Sequence, residues 1–504
     1  MSLRARGPLP HKGDADGPSE RPSRVDHPDA PPVRLILADT PHTGPPFGDR
    51  MPAANRPTHR RRLRGTLALV TAALTAVLLP GTWQTAHADP GQTRDIRPAA
   101  PGAPLTWGSN ESGELGDGSI APRSLAPGRV CGGAPCTSPL HDTIALSANG
   151  SHTLALQSDG TVLAWGSNLF GQLGIGTTTT STTPARVCAP GATAPCTSFL
   201  NNVVAVAAGG GHSLALRADG TILAWGDNLY GELGNGTNGN STTPVQVCAI
   251  GTCGAPLGNV VSIAAGFSHS LALLGNGLIV AWGDNANGQL GDGTTTNRNM
   301  PVITTSGDYG AIAAGFSHSL ALRTDGTVYA WGDNTYGELG DGTNTERHTP
   351  TQVCAPSTCD SAKLSGIAAI SAEGFHSVAL RSEGTVRAWG SNGFGQLGDG
   401  TNTDANLPVR VCAPGATAPC GTFLTGISAV AGGYQHTLAL RSDGGVHSWG
   451  ANYAGQLGNG TTSNSNTPVR VCQVNSCADQ LTGISAVAAD NYSSLALSRS
   501  ATGT

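Results

Sequence analysis

Apolar and polar residues alternate in a short block that returns along the chain. In Ser319-Leu-Ala-Leu322, and again in Thr327-Val-Tyr-Ala-Trp331, every second position is apolar, as in a half-buried strand, and Asp325-Gly326 lies between the two runs. This predicts a hairpin closed by a two-residue type I′ turn, where Gly takes φ > 0 without steric cost and Asp or Asn tolerates it. Asp159-Gly160, Asp219-Gly220, Asn276-Gly277 and Asp443-Gly444 repeat the turn, and Glu383-Gly384 is its weakest copy. Upstream of each hairpin stands a short apolar run such as Val203-Val-Ala-Val-Ala-Ala208. Downstream of a Gly-rich loop comes Pro-x-x-Val, as at Pro244-Val-Gln-Val247. Each unit therefore holds about four short strands, with the Pro-bearing strand at the outer edge, where a missing N–H is tolerated.

The unit has a period. Trp-Gly falls at Trp107, Trp165, Trp225, Trp282, Trp331, Trp389 and Trp449, at spacings of 58, 60, 57, 49, 58 and 60 residues, and Gly-Glu/Gln-Leu-Gly follows each in the same register. A fixed internal period signals supersecondary units that bury their cores against one another. Seven four-stranded units predict an all-β, seven-bladed β-propeller. The chain enters in mid-unit at Leu105-Thr-Trp-Gly108 and leaves in mid-unit at Ser494-Leu-Ala-Leu497, so the N- and C-terminal half-blades are expected to pair and remove the free edges of an open array.

Composition adds an address. With 38% hydrophobic and 12% charged residues, and 71 Gly assigned to loops, the chain reads as globular. Residues 1–50, rich in Pro, Arg and Asp without apolar periodicity, are expected to be disordered or untranslated. From Met51, the basic run His59–Arg64, the apolar run Thr66–Leu79 and Ala86-His-Ala88 form a signal peptide over 51–88 that ends before Asp89. The apolar run falls short of the roughly 20 residues that span a bilayer. Residues 89–103 are a linker, 104–498 the propeller and 499–504 a tail. The segment 1–88 holds 12 of the 28 basic and 7 of the 33 acidic residues, so the mature chain keeps 16 and 26, a charge near −10. An acidic surface repels phosphate backbones, which argues against a nucleic-acid partner. The twelve cysteines fall in pairs after the outer strands: Cys131/Cys136, Cys188/Cys196, Cys248/Cys253, Cys354/Cys359, Cys412/Cys420 and Cys472/Cys477. The 49-residue unit is the one without a pair. In an exported protein these read as six local disulfides. Zinc is the competing reading, but no paired Cys-x-x-Cys or adjacent His supplies a tetrahedral set.

The unit Ala-Gly-x-x-His-Ser-Leu-Ala-Leu-x-x-Asp-Gly-x-Val-x-x-Trp-Gly-x-Asn-x-x-Gly-Gln-Leu-Gly resembles the repeat of the regulator of chromosome condensation family over residues 104–498. The resemblance implies a seven-bladed propeller whose members bind other proteins with loops on one face. The eukaryotic founder is a nucleotide exchange factor that docks on chromatin, a role at odds with the leader, acidic charge and cysteine pairs here. A secreted bacterial member that inhibits class A β-lactamases is closer in setting, although this chain has longer, Cys-pinched loops.

Strand direction sorts the loops. The loop into Ser-Leu-Ala-Leu and the loop leaving Trp-Gly share one end of the hairpin, and the Asp-Gly turns and Cys loops share the other. The first end is expected to carry Phe267, Phe316, Phe375, Tyr434 and Tyr492 just before the repeated His. Asp227, Asp284 and Asp333 stand there too, with Phe170, Tyr230, Tyr336, Phe394 and Tyr453 in the following loop. Rigid aromatic anchors rimmed by acids suit a protein-binding hot spot; the second set can instead pack within the Gly-rich loops. His152, His212, His269, His318, His376 and His436 recur once per blade and Ser493 replaces the seventh, which fits a structural donor to a neighbouring backbone better than a catalytic base. Glu373, in place of the usual Gly, is the one unmatched acid. The Asp-Gly-Thr loops lack the carboxylate spacing of a calcium site. Together these features predict a secreted, monomeric, non-enzymatic protein-binding propeller that acts as an inhibitor or scaffold for an extracellular protein. No cofactor, metal or stable membrane anchor is expected. A carbohydrate- or cell-wall-binding lectin and an enzyme using one propeller face are the alternatives.

Overall fold

The computed structural model describes residues 101–499 apart from Ser357 and Asn475; the readings for 1–50, 51–88 and most of the linker lie outside the described residues. The described residues form seven antiparallel four-stranded blades and no helix. The first blade runs through Thr143–Asn149, His152–Gln157, Val162–Gly166 and Ser181–Arg186. Five more begin at Val203, Val260, Tyr309, Ile367 and Ile427. The seventh combines both chain ends: Ile484–Ala489 and Ser493–Arg499 supply its first two strands, Gly102–Ser109 and Arg123–Arg129 its last two. Gly102–Ser109 pairs with Ser493–Arg499 in unbroken register from Gly102↔Arg499 to Gly108↔Ser493. The strands thus reach two residues into the expected linker and one into the expected tail.

Each apolar cluster of the core spans two neighbouring blades. All seven repeated tryptophans are fully buried, and each sits among apolar residues of its own and the preceding blade: Trp282 lies with Ala272, Leu274 and Val280 of the third blade and Leu214, Ile222, Leu233 and Val247 of the second. An indole N–H in such a place needs an acceptor. Each Nε1–H finds the carbonyl of the Glu or Gln in the preceding blade's Gly-Glu/Gln-Leu-Gly loop, as in Trp331 to Gln289 at 2.8 Å and Trp389 to Glu338 at 2.7 Å. The chain closes the ring with the same bond, Trp107 to Gln456 at 2.9 Å. The Gly that ends each loop lies flat on that indole. A Cβ at Gly340, whose φ is +61°, would meet Trp389 Nε1 at 2.8 Å.

The hairpin turns differ from the expected type I′. Gly326 N–H donates to the Arg323 carbonyl (3.0 Å) and Gly326 has φ +80°, whereas Asp325 is not at positive φ. The loop is a three-residue type I turn followed by a left-handed Gly. Asp325 stays right-handed because its Oδ1 accepts both the N–H (2.9 Å) and the Oγ1–H (2.6 Å) of Thr327.

All six cysteine pairs form disulfides: Cys131–Cys136, Cys188–Cys196, Cys248–Cys253, Cys354–Cys359, Cys412–Cys420 and Cys472–Cys477, with Cα–Cα distances from 4.5 to 5.7 Å. The two cysteines of a pair differ in their surroundings. Cys131, Cys188, Cys248, Cys354, Cys412 and Cys472 are buried just past the outer strand, and each N–H donates to the carbonyl of the Gly that ends its own blade's Gly-rich loop, as Cys188 to Gly174 at 2.9 Å. Their partners lie further out: Cys136, Cys253 and Cys477 are exposed, and Cys196, Cys359 and Cys420 are half-buried. Each partner covers the next Gly of the same loop, Gly118 facing Cys136, Gly176 facing Cys196, Gly236 facing Cys253, Gly342 facing Cys359, Gly400 facing Cys420 and Gly460 facing Cys477. The bridge therefore ties an exposed loop to a buried strand end instead of joining two equivalent positions.

Trp331→Phe removes a buried donor and leaves a small cavity beside the smaller ring, and should cost about 1–3 kcal/mol, read as a lower urea midpoint with unchanged far-UV circular dichroism. Opening the Cys248–Cys253 ring with two Ala substitutions should cost about 2 kcal/mol in the same assay.

Candidate functional site

The loops of one face are held from beneath by two repeated polar devices. In the first, the Asn three residues after Trp is fully buried in all seven copies. Asn334 Oδ1 accepts the N–H of Leu339 (3.0 Å) while its Nδ2 donates to the carbonyls of Thr343 and Thr345 (3.0 Å each), so one side chain fixes both limbs of the loop. The sequence reading quoted this Asn and gave it no role. In the second, each repeated His bonds forward to the next blade. His318 Nε2 lies 3.0 Å from Ser377 Oγ, and Ser377 Oγ–H donates to the Glu338 carbonyl (2.8 Å) that also accepts Trp389. The hydroxyl spends its proton on the carbonyl, so the ring must donate Nε2–H. The acceptor is therefore a neighbouring hydroxyl rather than the neighbouring backbone expected from sequence. Where Ser493 replaces the seventh His the relay stops, and Thr153 Oγ1 in the first blade is buried without a partner.

Over these devices the five predicted aromatics come together. Phe267 stacks on Phe316 (4.3 Å between centroids), Phe316 meets Phe375 (4.8 Å), Phe375 meets Tyr434 (5.3 Å) and Tyr434 meets Tyr492 (5.7 Å). These rings are half-buried because they cover one another, so they form a continuous pad rather than free-standing anchors. The second aromatic set is the more exposed. Phe170, Tyr230, Tyr336 and Tyr453 are exposed and Phe394 is half-buried, with Tyr336 joining the pad at Phe375 (5.6 Å) and Tyr453 at Tyr492 (5.6 Å). Beside them Leu169 and Leu229 are 71% and 64% exposed. Sequence reasoning missed both leucines; the signal was an apolar residue straight after the buried Asn, where other blades have Ala, Gly, Thr, Tyr or Glu.

Asp227, Asp284 and Asp333 are half-buried on the same loops, and each has a structural task. Asp333 Oδ1 accepts the N–H (3.0 Å) and Oγ1–H (2.7 Å) of Thr335, and Asp227 Oδ1 accepts the N–H of Asn228 (2.9 Å). Asp284 Oδ2 accepts Gln289 Nε2 at 2.7 Å. Other carboxyls lie deeper. Burial raises Glu114, Glu232 and Glu338 to about 7, against backbone hydrogen bonds that pull the other way. Glu373, the unmatched acid of the sequence, is pushed well up by burial and then by Asp490, and its Oε2 is enclosed without a partner. Asp490 occupies the same repeat position and accepts Ser493 Oγ–H (3.1 Å) and the Ser151 N–H (3.2 Å), so it holds the serine that replaces the His but supplies no partner to Thr153. Among the described residues no group of three or more His, Cys, Asp or Glu could hold a metal ion. A groove of about 490 Å³ lined by Tyr230, Ile250, Met300 and Ile303 opens where the 49-residue unit lacks a cysteine loop.

Burial lowers His318 to about 4 and holds the other repeated histidines at about 3 to 4. The unfolded rings would protonate near 6.5, so stability present above pH 6.5 is lost as pH falls toward 4. His318→Gln keeps an N–H donor without the titration and should flatten that acid loss by roughly one sixth, measured as denaturant midpoints at pH 4.5 and 7.

The RCC1-like domain model matches residues 99–363 and 189–503. The chain is 32% identical over 368 residues to the ultraviolet-B receptor UVR8 of Arabidopsis thaliana, covering 72% of this chain and 76% of the receptor. It is 29% identical over 362 residues to the human E3 ubiquitin-protein ligase HERC2, covering 71% of this chain and 7% of the ligase. Among solved structures, human WBSCR16 aligns with TM-score 0.63 at 23% identity, over 79% of this chain and 99% of that one. Prp20p of Saccharomyces cerevisiae, studied for binding to Gsp1p and histones, aligns with TM-score 0.63 at 24% identity, over 79% and 91%. With its seven-fold tryptophan seam and these matches, the chain belongs to the RCC1-like domain family.

Proposed function

We propose that the chain is a secreted, non-enzymatic propeller that binds an extracellular protein through the aromatic face. RCC1-like propellers are typically protein-binding or regulatory, and yeast Prp20p, a structural neighbour, binds Gsp1p and histones. The observation that carries the reading is the pad Phe267–Phe316–Phe375–Tyr434–Tyr492 extended outward by exposed Tyr336 and Tyr453. A half-buried aromatic floor with exposed aromatic and Leu side chains around it offers area at low entropy cost, and half-buried acids beside it offer specificity. Export is supported by the leader-like segment 51–88 and by six disulfides within inter-blade loops, an arrangement suited to an oxidising compartment. The repeated histidines are held neutral and engaged in the seams, which favours scaffold over catalysis.

The test is retention of proteins from the culture medium and cell-wall fraction on immobilised chain starting at Asp89, against Tyr230→Ala/Tyr336→Ala/Tyr453→Ala with an unchanged melting temperature. A protein held by the native chain should bind the triple variant at least about 100-fold more weakly, which corresponds to hot-spot losses of about 1–2 kcal/mol per residue. Retention that is equal for both sinks the assignment of this face. Retention of glycan alone would instead make the protein a lectin.

A further inference from the structure

The Glu or Gln of each Gly-Glu/Gln-Leu-Gly loop uses one oxygen identically in all seven blades. It accepts the N–H two residues earlier, at 2.8–3.0 Å, as Tyr230 to Glu232, Asn287 to Gln289 and Tyr336 to Glu338 show. The other arm faces the residue two after Trp. Where the arm is Gln it is a donor and finds an acceptor there: Ser167 at 3.5 Å, Asp284 at 2.7 Å and Ser391 at 3.2 Å. Gln456 faces Ala451 and its Nε2 is left without a partner. That position therefore wants a donor matched to an acceptor.

In the second and fourth blades both members are acids. Glu232 and Glu338 are 1% exposed, and the Oε1 of each is enclosed with no partner. They face Asp227 and Asp333, whose Oδ1 atoms are already committed to their own turns. As two ionised carboxylates these pairs would be unmatched in a buried place; with one proton between them the Gln-to-Asp bond of the third blade is reproduced. We propose that Glu232–Asp227 and Glu338–Asp333 each hold a shared proton, the Glu O–H donating to the Asp carboxylate, and that these two pairs form a proton-operated latch on the loops that present Leu229, Tyr230 and Tyr336.

The surroundings favour retention of that proton. The charges that act most strongly on Glu232 are Asp227 on its own loop and Asp284 on the next blade, and on Glu338 they are Asp333 and Asp404. The neighbouring His212, His269, His318 and His376 are neutral. Burial, the larger cause, and then these acids raise both Glu groups to about 7. The folded chain binds protons that the unfolded chain releases near 4.5, so the latch contributes fully at low pH and is lost as pH rises through about 7. Glu114, which burial also raises to about 7, lies outside the scheme because the residue two after its Trp is Ser109 and not an acid.

The consequence for binding rests on the proposed aromatic interface; the proton does not. The test is carboxyl-carbon NMR of the full chain across pH 4–9, with hydrogen exchange of the Tyr230 and Tyr336 amides. Of the Glu signals that titrate near 7, two should disappear in Glu232→Gln/Glu338→Gln while that of Glu114 stays, and both amides should exchange several-fold faster at pH 8 than expected from the intrinsic rate, but not in that variant. Gln289→Glu should add a third pair and one further titration near neutrality. Midpoints for Glu232 and Glu338 between 4 and 5, or Asn287 protection in Gln289→Glu that stays flat with pH, overturn the latch. If partner affinity falls at least about 10-fold from pH 6 to 8 in the native chain only, the latch governs the interface. Neutral midpoints with affinity unmoved by the tyrosine substitutions would overturn the binding face and leave the latch standing.

Discussion

A buried indole N–H that must find an acceptor organises this molecule. Each tryptophan crosses to the preceding blade and meets a carbonyl of the Gly-Glu/Gln-Leu-Gly loop, and the glycine at the end of that loop lets the backbone lie against the indole face. Because the donor sits on one blade and the acceptor on its neighbour, the contact is head-to-tail, and its repetition generates a ring when the rotation closes. It closes here through the seventh blade, shared by the two chain ends, where Trp107 reaches Gln456 and Trp165 reaches Glu114.

The same carbonyl ties the seam to the loops above it. It accepts the tryptophan and, in six seams, a Ser or Thr hydroxyl that the previous blade's histidine holds in place, so packing, relay and loop share one atom. The break at Ser493 shows what the relay does, since the hydroxyl it would have served, on Thr153, has nothing to bond. A rigid floor of this kind lets the loops carry residues that stability alone would not favour: exposed Leu169 and Leu229, a pad of rings, and acids set against acids.

Much of this was legible beforehand and some of it was not. The acid positions Asp227, Asp284 and Asp333 were visible as a class, yet their partners were not, because Gln289 and Glu338 look interchangeable along the chain and differ only once their second arm is seen to face an acid. The cysteine pairs were visible as pairs, yet not that Cys188 is a buried strand end and Cys196 a half-buried cover on Gly176, since that depends on how the loop folds back on its own blade. The relative exposure of the two aromatic sets was hidden for a similar reason. Phe267 and Phe316 lie in separate units, and their mutual cover depends on how neighbouring inner strands converge.

The sequence by itself determined the period, the strand alternation, the seven tryptophans, the half-blades at either end and the local cysteine pairs, since each of these is set by residues within one unit or by the unit's recurrence. Even there the Asp side chain overrode the turn type by bonding the following Thr. Only the tertiary structure decided which carbonyl receives each indole, which hydroxyl receives each histidine, and which rings meet on the face. Those contacts join residues about 40 to 350 positions apart, and they exist because blades are rotated against one another about the ring, a relation that no pattern within a single repeat encodes.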